Sequence, residues 1–152
     1  MKSSKYSFIL FLLILNLVSA AQVQLPQYPD SLFSTYYHQR VTLFNALPKT
    51  NNDIVFIGNS ITDGGEWSEM FNDLQIKNRG ISGDISAGVL NRIDEVAERK
   101  PAKVFLMIGV NDLARGISAD SVVKNILLIA SYLRQETPST KLFIQKKAAT
   151  QY

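Results

Sequence analysis

Ser60 follows a short apolar run and opens the glycine-rich segment GNSITDGG, residues 58–65. The apolar run, residues 54–57, has the continuous character of a strand that is buried on both faces. A serine that leaves such a strand and enters a helical turn presents its hydroxyl, and the N–H groups of the turn, at the edge of a sheet. This placement is typical of a nucleophile for acyl transfer.

Two further segments carry groups that can stabilise an oxyanion. Residues 78–84 (NRGISGD) place two glycines before a predicted helix, and residues 109–112 (GVND) follow the strongest apolar run. Together they could offer one backbone N–H and the side-chain amide of Asn111 to a developing oxyanion. Acyl transfer needs such donors, and each lowers the barrier by about 3–4 kcal/mol.

Each segment also has a simpler interpretation when it is taken alone. Ser60 can be a turn residue or a helix cap, Gly80 and Gly83 can be turn glycines, and Asn111 can cap a helix. A phosphate-binding loop is a further alternative. However, the sequence contains neither G-x-x-x-x-G-K-[ST] nor G-x-G-x-x-G, so we do not expect a nucleotide site.

Four short apolar runs alternate with segments of helical periodicity. The runs are residues 54–57, 75–78, 104–108 and 142–144, and the second is the most polar. The helical segments are residues 30–47, 85–96 and 122–133. We expect Asp30 or Ser31 to cap the first helix, Asp84 or Ser86 the second, and Ser118 the third. This alternation predicts a parallel sheet with helices on both faces and the strand ends at one edge.

The ordered set Gly-x-Ser-x-[Ser/Thr], Gly-x-x-Gly-Asp and Gly-x-Asn-Asp resembles the SGNH, or GDSL-like, hydrolase family. The platelet-activating-factor-acetylhydrolase-type esterases are the most similar branch, and the resemblance runs from about Asp53 to Ile144. It implies a flavodoxin-like three-layer α/β/α fold with a parallel sheet. The last strand and helices of that fold are expected to be missing from this chain.

The resemblance also implies roles for individual residues. Ser60 would be the nucleophile of an ester hydrolase, and the oxyanion hole would consist of the Ser60 N–H, the Gly83 N–H and the Asn111 amide. The substrate would be a small-molecule, glycan or lipid ester, with an acetyl or short acyl group. No metal ion and no organic cofactor are implied.

Two positions depart from the family pattern. Asn59 stands where the family usually has aspartate, and the late Asp-x-x-His block that supplies the general base is absent. The only histidine, His38, lies in the first predicted helix. Thr35 stands three residues earlier, where an Asp-x-x-His motif would have its aspartate. We therefore interpret His38 as a partly exposed helix residue. Three acids near the loops, Asp63, Asp84 and Asp112, are poor bases at ordinary pKa values.

We therefore expect an esterase that is truncated before its general base and is severely impaired. Two alternatives remain open at this stage. The chain is either a non-catalytic module that binds esters or carbohydrates, or a gene fragment or frameshift product without a function of its own. The aromatic residues Trp67 and Phe71 are expected to pack against the sheet, with a pocket-lining role as the alternative for Trp67.

Residues 1–20 have the basic start, short apolar run and small final residues of a secretory signal peptide, cut near Ala20 or Ala21. The apolar run is shorter than the roughly 20 residues that cross a bilayer, so no stable membrane anchor is expected. The protein is thus expected to be secreted or periplasmic. A linker (residues 21–29), the hydrolase domain (30–145) and an irregular tail (146–152) follow.

Composition argues against several other classes of function. Two of the 16 basic residues and none of the 13 acidic residues lie within residues 1–20, so the remainder is nearly neutral and suggests no nucleic-acid partner. With no cysteine and one histidine, neither a disulfide framework nor a zinc site is expected. The oligomeric state is not predicted.

Overall fold

The computed structural model describes residues 22–145. Its centre is a parallel sheet of four strands in the order β2-β1-β3-β4. The strands are β1 (Ile54–Gly58), β2 (Ile76–Gly80), β3 (Lys103–Met107) and β4 (Lys141–Ile144). The parallel α/β fold predicted from the alternating pattern is confirmed, with small shifts in the ends of the strands.

Helices connect the strands and lie on both faces of the sheet. After a 3₁₀ turn (Asp30–Leu32) they are α1 (Thr35–Ala46), α2 (Ser60–Asp63), α3 (Trp67–Met70), α4 (Ser86–Asn91), α5 (Ile93–Ala97), α6 (Val110–Ala114) and α7 (Ala119–Glu136). The Ser118 hydroxyl caps α7 by accepting from the Ser121 N–H at 3.2 Å, as predicted. The helix ends before Pro138, also as predicted.

The first predicted helix begins later than the periodicity suggested. Phe33 is extended and separates the 3₁₀ turn from α1. Ser34 caps α1 by accepting from the Tyr37 N–H at 3.1 Å, so the prediction of Asp30 or Ser31 as the cap was wrong. The Phe33 ring stacks on Tyr37 with centroids 4.4 Å apart, so Phe33 still packs against the first turn of α1.

The second predicted helix is divided into α4 and α5 at Arg92, whose backbone leaves the helical region. The predicted apolar face nevertheless stays buried on both sides of the break, at Ile85, Val89, Ile93 and Val96. The prediction of Asp84 or Ser86 as its cap was wrong. Ile85 occupies the cap position without a side-chain bond, and Asp84 accepts from the Ile85 N–H at 2.9 Å.

The main core lies between one face of the sheet and helices α4, α5 and α7. Its buried members are Val55, Ile57, Val104 and Leu106 from the strands and Val89, Leu90, Ile93, Val96, Ala97, Ile129 and Leu133 from the helices. The central strands contribute side chains with no measurable exposure, in keeping with the continuous apolar runs. This layer holds the sheet in place beneath the loops at its carboxyl edge.

The opposite face carries a row of stacked aromatic rings. Phe56, Phe105 and Phe143 lie in register on adjacent strands, with centroids 4.9 and 4.8 Å apart. Trp67 stacks on Phe56 at 4.9 Å, and Phe71 lies 6.2 Å from the same ring, so both pack against the sheet as expected. Within residues 22–145, the layer on this face consists of the short helices α2 and α3, and Phe143 is 43% exposed.

The segment predicted as a linker packs against the domain in its described part, residues 22–29. The Val23 N–H donates to the Gln135 side chain at 2.8 Å, and the Tyr28 hydroxyl donates to Asn125 at 3.2 Å. Leu25 and Tyr28 also contact the main core. The predicted signal peptide, its cleavage position and the tail 146–152 lie outside the described residues.

Candidate functional site

The register of the sheet gathers the three candidate loops at one edge. Gly58, the last residue of β1, is paired with Gly80 at the end of β2 and with Met107 at the end of β3. The loops that contain Ser60, Gly83 and Asn111 therefore all leave the carboxyl edge of the sheet. A side chain at Gly58 would overlap backbone atoms of β3, and one at Gly80 would overlap backbone atoms of α2, which explains the two glycines.

Ser60 is the first residue of α2 and is exposed. The buried Asn59 precedes it in an extended conformation and caps the helix, because its side-chain oxygen accepts from the Ile61 N–H at 3.1 Å. The asparagine that replaces the family's usual aspartate thus still provides a capping oxygen. The Ser60 hydroxyl and the first N–H groups of the helix stand at the edge of the sheet.

Gly83 occupies the left-handed region with φ +80°, where glycine is the residue without strain. Its loop is fixed from two sides. The N–H and hydroxyl of Ser82 donate to Asp63 at 3.0 and 2.7 Å, and the Gly83 carbonyl accepts from Arg115 at 2.7 Å. None of these bonds uses the Gly83 N–H.

Asn111 lies in the first turn of α6 and its side-chain amide donates to the Asp84 carbonyl at 2.8 Å. Gly109, at φ +118°, makes the sharp turn from β3 into α6. The amide group has two hydrogens, so this bond leaves one N–H for a ligand. The bond places Asn111 beside the residue that follows Gly83, and the two predicted oxyanion donors are therefore neighbours.

A buried ion pair joins the first two loops from below. Arg92 and Asp84 are 2.8 Å apart with side chains only 2% and 1% exposed, and Arg92 also donates to the Gly58 carbonyl at 3.4 Å. Burial raises the pKa of the Asp84 carboxyl, and the positive charge of Arg92 opposes that rise. A direct backbone bond from Ile81 N–H to the Gly58 carbonyl, 3.0 Å long, adds a second connection.

The other acids near the loops have structural partners. Asp112 is fully buried and accepts from the backbone N–H and hydroxyl of Ser86, the latter at 2.6 Å. Asp63 accepts from the Tyr36 hydroxyl at 2.9 Å as well as from Ser82. Both carboxylates therefore hold neighbouring segments together, Asp112 at Ser86 and Asp63 between Tyr36 and Ser82.

His38 lies in α1 and is half-buried, as predicted. Its Nε2 atom is 3.3 Å from the Asp30 carbonyl oxygen, and its ring packs edge-on against Phe33 and Tyr37. All of these contacts are within the N-terminal part of the chain. Among residues 22–145, no group of three or more histidine, cysteine, aspartate or glutamate side chains is placed to hold a metal ion.

Two arginines that shape this edge of the sheet were not predicted from the sequence. Arg92 is a charged residue on an otherwise apolar helix face. This position was the sequence feature that could have indicated a buried ion pair. Arg115 carried no signal, because its contact with Gly83 depends on how two separate loops meet. Together with Ser82, Gly83 and Tyr37, Arg115 lines a cavity of about 200 Å³ beside the candidate oxyanion donors.

Comparison with known proteins gives consistent results. Residues 56–151 match the GDSL-like Lipase/Acylhydrolase family. Esterase TesA of Pseudomonas aeruginosa is 40% identical over 65 residues, which cover 42% of this chain and 32% of TesA. Platelet-activating factor acetylhydrolase IB subunit alpha1 of Bos taurus is 29% identical over 98 residues, covering 60% of this chain and 41% of that protein.

A solved structure also matches the fold. The crystal structure of a GDSL-like lipase from Bacteroides thetaiotaomicron has a TM-score of 0.59 and 29% identity, covering 71% of this chain and 56% of the lipase. The chain thus spans less than two thirds of the length of these relatives. Within residues 22–145, the structure contains no helix that is both long and apolar enough to cross a membrane. The family match covers more than half of the chain, and the protein belongs to the GDSL-like Lipase/Acylhydrolase family.

Proposed function

We propose that the chain carries the nucleophile and the oxyanion hole of a serine ester hydrolase. The observation that carries this proposal is the convergence of the Ser60, Gly83 and Asn111 loops at one edge of the sheet, held by the Ile81–Gly58 and Asn111–Asp84 bonds. The named esterase and acetylhydrolase among the relatives support the same reaction class.

The proposed reaction has two steps. The Ser60 hydroxyl oxygen attacks the ester carbonyl carbon, passes its proton to solvent water, and forms a tetrahedral oxyanion that the Ser60 N–H, the Gly83 N–H and the Asn111 amide hold. The C–O bond to the alcohol breaks, the alcohol takes a proton from solvent water as it leaves, and a water molecule then hydrolyses the acyl-serine, which releases the acid and restores the Ser60 hydroxyl. The substrate class proposed is an acetyl or short acyl ester of a lipid or carbohydrate.

Ester turnover by this chain is proposed to be slow. The sequence has no histidine after Ser60 that could accept its proton, so turnover by the chain as it stands is proposed to be severely impaired. Loss of the base from a serine triad lowers kcat by on the order of 10⁴–10⁶. Binding and the oxyanion hole supply what remains.

Hydrolysis of p-nitrophenyl acetate tests both parts of the proposal. The purified chain is expected to show a slow rate above a protein-free background measured at the same imidazole concentration, and added imidazole should increase this protein-dependent rate, because imidazole can take the Ser60 proton. Ser60→Ala should abolish the rate and its imidazole dependence, whereas the matched control Ser131→Ala, on the exposed side of α7, should leave both unchanged. A rate that survives Ser60→Ala would exclude Ser60 as the nucleophile, and a rate typical of complete family members would disprove the impairment.

Export forms a separate part of the proposal. Residues 1–20 have the features of a secretory signal peptide, and the domain is accordingly proposed to act in the periplasm or outside the cell. N-terminal sequencing of the product after expression of the full chain in a bacterial host is expected to show a start at Ala21 or Gln22. An intact Met1 in a product confined to the cytoplasm would contradict export.

A second candidate function is a non-catalytic module that binds esters or carbohydrates. It is favoured by the preserved loop arrangement, which can hold an ester carbonyl without any chemical step. This alternative predicts ester binding that Ser60→Ala leaves unchanged, with no acyl-enzyme detectable by mass spectrometry. Formation of an acyl-enzyme on Ser60 would decide against it.

A further inference from the structure

The aromatic face of the sheet has a covered half and an open half. Helix α3 and the turn after it, residues 67–74, lie over β1 and β2, because Trp67 and Phe71 pack against Phe56. In the described part of the chain no helix lies over β3 and β4 on this face, and Phe143 is exposed there. A raised layer, the α3 layer, therefore stands beside a bare part of the sheet, the open β3–β4 face.

Both halves present apolar side chains to solvent. In the α3 layer, Met70, Phe71 and Leu74 are 68%, 58% and 85% exposed. On the open β3–β4 face, the exposed Phe143 ring stacks on Phe105 and ends the aromatic row. Contiguous apolar surface of this kind is typical of a contact with another protein surface.

The two halves carry opposite charge. On the open β3–β4 face, Lys103 and Lys141 are register partners and both are exposed. Each stands two residues before the stacked phenylalanine of its strand, so strand alternation places it on the same face, at the amino end of the strand. Residues 66–74 contain three acidic residues and no basic residue, and Glu69 is exposed on α3. Glu69 and the two lysines form no ion pair within the described part of the chain.

A two-fold axis parallel to the strands would bring each half onto its opposite in a second copy. Helix α3 lies on the connection from the carboxyl end of β1 to the amino end of β2, so its later residues lie toward the amino ends of the strands. Rotation about this axis opposes the two aromatic faces and keeps the amino ends of both sheets together. Glu69 of one copy then faces Lys103 and Lys141 of the other, and Met70 faces the second copy's Phe143.

We propose that the aromatic face binds a second copy of this chain and forms a two-fold symmetric dimer. The α3 layer of each copy covers the open β3–β4 face of the other, which buries Phe143 and places Glu69 beside the two lysines. Every contact occurs twice, because each copy supplies both halves, and the symmetry closes the assembly at two copies. The inference does not depend on Ser60 or on any esterase activity.

Sedimentation velocity of the full chain, over a concentration series up to about 0.1 mM, tests for the dimer. A reversible shift from monomer to dimer is expected as the concentration rises. Added salt should weaken the dimer, because it screens the attraction between Glu69 and the lysines. A chain that stays monomeric throughout the series, or that forms only larger species, would overturn the proposal.

Charge reversal locates the interface. Glu69→Lys should raise the dimer Kd by at least about tenfold, and the double variant Lys103→Glu/Lys141→Glu should do the same, because like charges then meet. An equimolar mixture of these two variants should form a heterodimer with a Kd close to that of the parent dimer, because both contacts again join opposite charges. Variants that dimerise as tightly as the parent, or a mixture that yields no heterodimer, would refute this face as the interface.

An apolar substitution tests the same face without a change of charge. Met70→Gln in the α3 layer should raise the dimer Kd by about tenfold. The matched control is Leu127→Gln, at a 59% exposed position of α7 on the other side of the sheet, and it should leave the Kd unchanged. Both side chains are exposed in the monomer, so neither substitution should lower its unfolding free energy by more than about 0.5 kcal/mol. A dimer that Met70→Gln leaves unchanged, or that Leu127→Gln weakens equally, would overturn the proposal.

Discussion

Replacing Arg92 by methionine removes one partner of the buried ion pair that joins the first two loops. The Arg92 and Asp84 side chains are 2% and 1% exposed, so Asp84 would be left as an uncompensated charge in the interior. Breaking such a pair costs about 3–5 kcal/mol of unfolding free energy. The Arg92 bond to the Gly58 carbonyl is lost as well.

The unfolding free energy that Arg92→Met loses is expected to depend on pH, because the Asp84 carboxyl can take up a proton. Burial already raises the pKa of Asp84, and Arg92 is the main group that opposes this rise. Without Arg92 the folded-state pKa rises further above the unfolded value of about 3.9. A group whose folded pKa is raised contributes stability at low pH and loses it as pH increases through the folded pKa. The difference in unfolding free energy between the parent chain and Arg92→Met should therefore be smaller at pH 5 than at pH 8. At its steepest, this difference changes by about 1.4 kcal/mol per pH unit.

Urea unfolding followed by circular dichroism at pH 5, 6.5 and 8 measures this effect. Arg134→Met, at an exposed position of α7, is the matched control and should change stability by no more than about 0.5 kcal/mol at each pH. The double variant Asp84→Asn/Arg92→Met removes the titrating group and should lose the extra pH dependence. A deficit for Arg92→Met below about 1 kcal/mol, or one that is equal at all three pH values, would refute the reasoning.

Three further substitutions test other parts of the fold, the first two by urea unfolding and the third by light scattering. Ser118→Ala removes the cap of α7 and should cost about 1 kcal/mol, whereas Ser131→Ala within the same helix should be neutral; equal effects would show that the cap is unimportant. Gly109→Ala forces a side chain into φ +118° and should cost about 1–3 kcal/mol, while Gly64→Ala, at φ −78°, should be tolerated. Phe143→Ser should lower light scattering at high concentration, because it removes an exposed ring at the end of the aromatic row, and unchanged scattering would contradict this.

The sheet and the long helix could be predicted because their signals are local. The runs at residues 54–57 and 104–108 are apolar throughout, and in the structure these central strands are paired on both edges and have one face fully buried. Helix α7 combines a serine cap, an apolar stripe and a following proline. Helices α2, α3 and α6 have only four or five residues, too few for periodicity to reveal them.

The candidate site could be predicted as a set of loops but not as a network of bonds. Parallel strands necessarily bring the loops of Ser60, Gly83 and Asn111 to one edge, and the structure confirms that arrangement. The division of the second helix at Arg92 depends on tertiary contacts with Asp84 and Gly58, which no local pattern encodes. The chemical roles of the three residues remain predictions, to be tested by the substitutions above.

The strand order β2-β1-β3-β4 has a consequence for synthesis on the ribosome. β1 emerges first, β2 then adds to one of its edges, β3 adds to the other, and β4 adds outside β3. Among the four strands of residues 22–145, none has to insert between two strands that have already paired. The sheet can therefore grow outward in the order in which its strands are translated, and each strand can dock as soon as it leaves the exit tunnel.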